Sequence, residues 1–155
     1  LFTPVAAVPE RVRAYWRTYD AHRDEHGRLN GHVAAPKYGF ACHVYVAETD
    51  AAALQAARAA YADFFEAFHW LFALRGDPYV ERLRDFDALY GQGLMLVGSP
   101  ATVTARLREI VTATGINYFA GVFAWGSLGT ERVLRSLRLF TEQVVPAMRA
   151  VPAGG

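Results

Sequence analysis

"LMLVGSPATVTARLREIV", residues 94–111, decides how the rest of the chain is read. Leu94 to Val97 form an apolar run of the length of a short buried strand. Ser99 stands where an N-cap belongs, with a hydroxyl that can accept a hydrogen bond from the first helical turn. Pro100 fits the first helical position, where its missing N–H costs nothing. Val103, Leu107, Ile110 and Val111 then recur at helical spacing, and Gly115 stops the helix. Strand, corner and helix make one β–α unit. The Gly98-Ser99 corner has two readings. Free N–H groups at a helix N-terminus favour an anion. The same groups are used by an ordinary N-cap, and the sequence favours that plainer reading.

Two further units flank this one. "FACHVYVA", residues 40–47, is a continuous apolar run with β-branched and aromatic members, the pattern of a strand buried on both faces. Thr49 or Asp50 can cap the helix that follows it, which is predicted to run to about Arg75 with Leu54, Ala57, Tyr61, Phe64, Phe65 and Phe68 on a wide stripe that continues through Leu71 and Phe72. "YVERLRDFDALYG", residues 79–91, reads as a shorter helical piece. "INYFAGVFAW", residues 116–125, reads as a third buried strand. The last helix begins at Thr130 and turns Val133, Leu137, Phe140, Val144 and Met148 inward, and Pro146 kinks or ends it. Upstream, Pro9 to about Gly27 reads as a helix with Val12, Tyr15, Trp16 and Tyr19 on one face.

Strands alternating with helices predict an α/β fold with parallel βα units. Three strands are few. A complete (β/α)8 barrel takes about 250 residues, and this chain has 155. The pattern therefore fits part of a barrel or a small open sheet, in one domain over residues 1–155. No G-x-S-x-G or G-x-G-x-x-G follows a strand, which argues against a hydrolase or dinucleotide fold.

Composition narrows the class. Hydrophobic residues make 53% of the chain and charged residues 20%, enough apolar material for a packed core. Sixteen basic and fifteen acidic residues nearly cancel, so no electrostatic footprint for nucleic acid or an anionic membrane is present. There is no uncharged run of membrane-spanning length. The lone Cys42 excludes an internal disulfide framework and fits a reducing, cytoplasmic setting. The chain opens on Leu1 without a methionine, and "LFTPVAAVPE" lacks the basic leader of a signal peptide, so a piece of a longer protein is expected.

Four stretches, in this order, resemble the C-terminal part of the luciferase-like flavin-dependent monooxygenases. "PERVRAYWRTYDAHRDEHG" is similar to the family's preceding helix, and "VYVAETDAAALQAAR" to its strand-then-helix segment. "LVGSPATVTARLREIVTATGINYF" and "FAWGSLGTERVLRSLRLFTEQVVPAMR" are similar to its closing strands and last helix. The resemblance implies the last three strands of a (β/α)8 TIM-type barrel. It implies reduced FMN as cofactor, with a deazaflavin as the alternative, and a small organic substrate oxygenated by O2. It also implies that most flavin-holding residues belong to earlier strands, outside this chain. A partial barrel of this kind is expected to form a homo-oligomer or to associate with the missing barrel half. The competing expectation is a non-catalytic module that binds a ligand or completes its sheet with another chain.

Several residues are candidates for the site. By the resemblance Trp125 lies near the flavin or the substrate mouth, with Ser127 on the substrate wall, because strand C-termini line barrel active sites. Gly98 and Ser99 are the candidate phosphate corner; Ala101 and Thr102 leave its first turn without the glutamate common in the family. "HRDEH", His22 to His26, matches a zinc-protease pattern, but no third ligand is visible and Arg23 opposes a cation, so no metal is expected. Cys42 and His43 are neighbours on a strand and point to opposite faces, so they cannot share a metal. His43 reads as a core residue rather than a base. The aromatic run at 61–72 reads as core, with His69 and Trp70 off or at the edge of its stripe and free to meet a partner or a channel.

Overall fold

The computed structural model describes residues 8–27, 32–33, 36–76 and 80–149. Three parallel strands, β1 (Gly39–Val46), β2 (Met95–Gly98) and β3 (Tyr118–Val122), form one sheet. The helices are α1 (Val8–His22), α2 (Asp50–Ala73), α3 (Phe86–Gly91), α4 (Pro100–Thr114), α5 (Gly129–Leu139) and α6 (Val145–Arg149). A mixed α/β chain of three parallel strands flanked by helices agrees with part of a luciferase-like barrel, as the pattern predicts. None of the helices is long and apolar enough to cross a membrane, among the described residues.

The strand order is β2-β1-β3, so the first strand is central. Alternate residues of a strand face opposite sides, and here each side has its own core. Tyr45 and Ala47 join Ala53, Ala57, Tyr61 and Phe65 of α2 on one face. Cys42, Val44 and Val46 join Val103, Leu107 and Ile110 of α4, with Val12 of α1, on the other. This is why "FACHVYVA" is apolar apart from His43.

The caps follow the sequence closely. Thr49 caps α2, its hydroxyl accepting the Ala52 N–H at 3.2 Å. Ser99 caps α4 with Pro100 in its first turn, and Gly115 closes it in the left-handed region at φ 66°.

The structure departs from expectation at several points. Helix α1 stops at His22, not near Gly27. Asp24 and Glu25 bring negative charge to the negative end of the helix dipole, and Glu25 folds back to His22 Nδ1 at 2.6 Å. The 79–91 segment splits into a 3-10 turn (Val80–Leu83) and α3, because Asp85 caps α3 by accepting the Ala88 N–H at 3.0 Å. Strand β3 ends at Val122 and is an edge strand rather than a buried one; Tyr118 is 52% exposed. Leu71 and Leu137 lie at the surface rather than inward. Of the two outcomes expected at Pro146, a kink or an end, the helix does not end: a π-helical turn, Phe140–Val144, interrupts the regular helix just before it, and the helix resumes as α6.

Beyond His43 the β3 side of β1 has no strand partner. Side chains close that edge. The Trp125 indole N–H donates to the Val44 carbonyl at 3.2 Å, and the Ser136 hydroxyl of α5 accepts the Val46 N–H at 2.8 Å. Both contacts are buried, so the two backbone groups are paired without a ladder.

Candidate functional site

The carboxyl ends of the strands are where ligands bind in parallel sheets, and four candidate residues lie there. Val46 is paired with Gly98, so the chain leaving β1 and the chain leaving β2 emerge side by side. That register brings Asp50 to the Gly98-Ser99 corner. Asp50 Oδ1 accepts the Ser99 N–H at 2.6 Å, and its Oδ2 accepts the Thr102 hydroxyl at 2.9 Å. The Ser99 hydroxyl accepts the Thr102 N–H at 3.3 Å. A negative group thus sits at the α4 N-terminus, and it belongs to the chain itself. The Ser99 N–H first, then the Thr102 and Ser99 hydroxyls, hold the Asp50 carboxyl below the usual carboxylate range. Gly98 is needed for the close approach: a Cβ there would lie 2.9 Å from Asp50 Oδ1 and 2.9 Å from Thr102 Cγ2.

Asp50 is not prominent in the sequence as a corner residue, since it reads equally well as a cap of its own helix. The signal is the pairing of adjacent strand ends, which needs the sheet order. Its charge has a measurable consequence. A depressed carboxylate stabilises the fold above its unfolded pKa of about 3.9, and that stabilisation is lost as pH falls through the lower folded value. Asp50→Asn is expected to cost about 1 kcal/mol at pH 7, the figure for a cap discounted for solvent screening. The gap between wild type and variant, read by urea denaturation, should shrink as pH drops below about 4. A gap that does not change with pH would remove the charge from this account.

Trp125 follows β3 at the other side of the sheet. It is 5% exposed, with its indole nitrogen committed to Val44. Its ring meets His43 at 5.4 Å and Tyr61 at 6.5 Å, both nearly edge-on. Gly126 then turns the chain at φ 56° hard against α2: a Cβ there would lie 1.8 Å from the Ala60 carbonyl oxygen. Ser127 is exposed, and its hydroxyl donates to the Asp63 carboxylate of α2. Trp125 and Ser127 therefore share one corner, while Gly98 and Ser99 belong to another.

Cys42 and His43 do point to opposite faces. Cys42 lies in the α4-side core, and burial pushes its thiol up to about 12. His43 stacks edge-on against Phe64 at 4.8 Å, and burial lowers its pKa to about 4, so it is neutral at pH 7. His22, Glu25 and His26 line an open cleft of about 390 Å3 with Tyr15, Thr18 and Tyr19. The two histidines do not share a helical face, because α1 has ended. Among the described residues no group of three His, Cys, Asp or Glu is placed to hold a metal ion. His69 contacts Glu81 and stacks on Phe65 at 5.3 Å, while Trp70 is 61% exposed.

Comparison with known proteins agrees with this architecture. Among solved structures, the crystal structure of monooxygenase RslO1 from Streptomyces bottropensis matches with a TM-score of 0.66 at 20% identity, over 94% of this chain and 39% of that one. The present chain thus spans about two fifths of that protein's length. No curated protein matches. A family model described as luciferase-like monooxygenase matches residues 1–118, about three quarters of the sequence. That match covers α1, the central strand and the corner of β2 and α4, and by it the chain belongs to the luciferase-like monooxygenase family.

Proposed function

We propose that this chain, a single domain over residues 1–155, is the C-terminal portion of a flavin-dependent monooxygenase that oxygenates a small organic substrate with O2. The observation that carries this reading is the family match across the strand ends where such a site belongs. Reduced FMN is the cofactor proposed, with a deazaflavin as the alternative. When bound, a reduced flavin supplies the electrons with which one oxygen atom enters the substrate and the other leaves as water. The cytoplasm is the proposed setting.

The described residues do not by themselves fit the flavin. A phosphate at Gly98 and Ser99 would meet the Asp50 carboxylate, which already holds the donors of that corner. Trp125 cannot offer its indole N–H, since Val44 has it. In this reading Gly98 and Ser99 hold the end of β2, Trp125 backs the mouth of the site, and Ser127 lies on the substrate wall. The flavin phosphate is held by residues outside those described here. The test is a reaction of the full gene product that carries this chain, with reduced flavin, candidate substrates and 18O2. One labelled oxygen atom per product molecule is expected. Turnover without incorporation of label would remove the monooxygenase reading.

A further inference from the structure

We propose that Ser127, with its hydrogen held by Asp63, selects the substrate by polarity: its oxygen accepts a hydrogen bond from a substrate hydroxyl or amine and has no hydrogen to give a carbonyl. This rests on the reading above, in which Ser127 lies on the substrate wall, and it names the class of molecule that wall takes.

A serine hydroxyl has one hydrogen and two lone pairs, and free in water it can present either to a ligand. Here the hydrogen is placed. It goes to the Asp63 carboxylate of α2, which can only accept. The fold builds this pair. Gly126 turns at φ 56° against the Ala60 carbonyl, with no room for a Cβ. Asp63 follows Ala60 by three residues and so stands on the same side of α2. Packing Gly126 on Ala60 therefore delivers Ser127 to Asp63. On the other side of the turn, Trp125 is tied to the Val44 carbonyl of β1. Three consecutive residues are anchored at three separate points, so Ser127 cannot swing away without moving its neighbours.

Other side-chain donors around this corner are spent as well. The indole N–H of Trp125 is on Val44. Tyr61, whose ring lies 6.5 Å from that of Trp125, donates its hydroxyl hydrogen to the Leu83 carbonyl at 2.6 Å. Ser127 and Asp63 are both exposed, and what they offer to solvent is lone pairs. A hydroxyl that donates to a carboxylate is polarised and accepts more strongly. A substrate hydroxyl or amine gains a partner there. A carbonyl in the same place gives up water and meets only oxygen.

Ligand-observed NMR on the full gene product that carries this chain tests the proposal without requiring turnover. The probes are para-cresol, its methyl ether and para-methylacetophenone, chosen because Trp125, Tyr61 and His43 make the corner aromatic. The wild type is expected to bind the phenol about fivefold or more tighter than the ether. Ser127→Ala should bring the phenol down to the level of the ether. Asp63→Ala frees the serine hydrogen, so binding of the ketone should rise, a gain that neither Ser127→Ala nor a loosened loop would produce. Equal binding of phenol and ether by the wild type, or binding of neither, would overturn the proposal. So would a phenol preference that survives Ser127→Ala, which would give the hydrogen bond to Asp63 alone. The phenol preference without oxygen incorporation in the labelling experiment would remove the monooxygenase reading and leave this selectivity standing.

Discussion

Gly126→Ala is expected to destabilise the fold by about 3–5 kcal/mol, among the largest effects of any single methyl group in the chain. Two costs add. The residue sits at φ 56°, a conformation that alanine adopts with strain. The new Cβ would also fall 1.8 Å from the Ala60 carbonyl oxygen. That contact is to backbone in the middle of a long helix, so nothing flexible can yield. Either α2 moves off the sheet or the corner does. The measurement is the urea midpoint, with the slope checked for two-state behaviour. A loss below about 1 kcal/mol would mean that the corner does not lie against α2 as described. Gly76, also in the left-handed region at φ 64°, has open space around a Cβ, so Gly76→Ala isolates the cost of strain alone.

Trp125→Ala is expected to cost a comparable amount, about 3–5 kcal/mol, for the loss of a buried indole. The informative control is Trp125→Phe. Phenylalanine keeps most of the ring contacts with His43 and Tyr61 but leaves the Val44 carbonyl unpaired at a closed edge. About 1–3 kcal/mol is expected for that alone. If Trp125→Phe is neutral, the indole N–H does not seal β1, and the residue is free to turn toward a ligand. The two variants thus separate a structural role from one in recognition.

Much of this was legible from local chemistry. The caps at Thr49, Ser99 and Gly115 and the strand–helix alternation all come from short-range rules that act within a few residues. The strand "FACHVYVA" announced its two-sided burial through its nearly continuous apolar run. What could not be read was pairing. Nothing local distinguishes β1 as the central strand, and so nothing local places Asp50 on Ser99. Strand β3 misleads for a similar reason. Its residues 116–125 are apolar enough for a full strand, yet pairing stops at Val122 because Trp125 turns its side chain, not its backbone, toward β1. The early end of α1 needed the charge of Asp24 and Glu25 weighed against helix spacing. Leu71 and Leu137 show the limit of periodicity: it locates a stripe but not whether a neighbour covers it.

The family assignment and the geometry make one joint claim. The chain carries part of the sheet of a luciferase-like monooxygenase, and among the described residues the Gly98-Ser99 corner is filled from within by Asp50. A titration of the purified chain with FMN, followed by flavin fluorescence and visible absorbance, tests it most directly. The account predicts no saturable change with the wild-type chain. Saturable, stoichiometric binding that is abolished by Ser99→Ala or by blocking the Gly98 corner would contradict it.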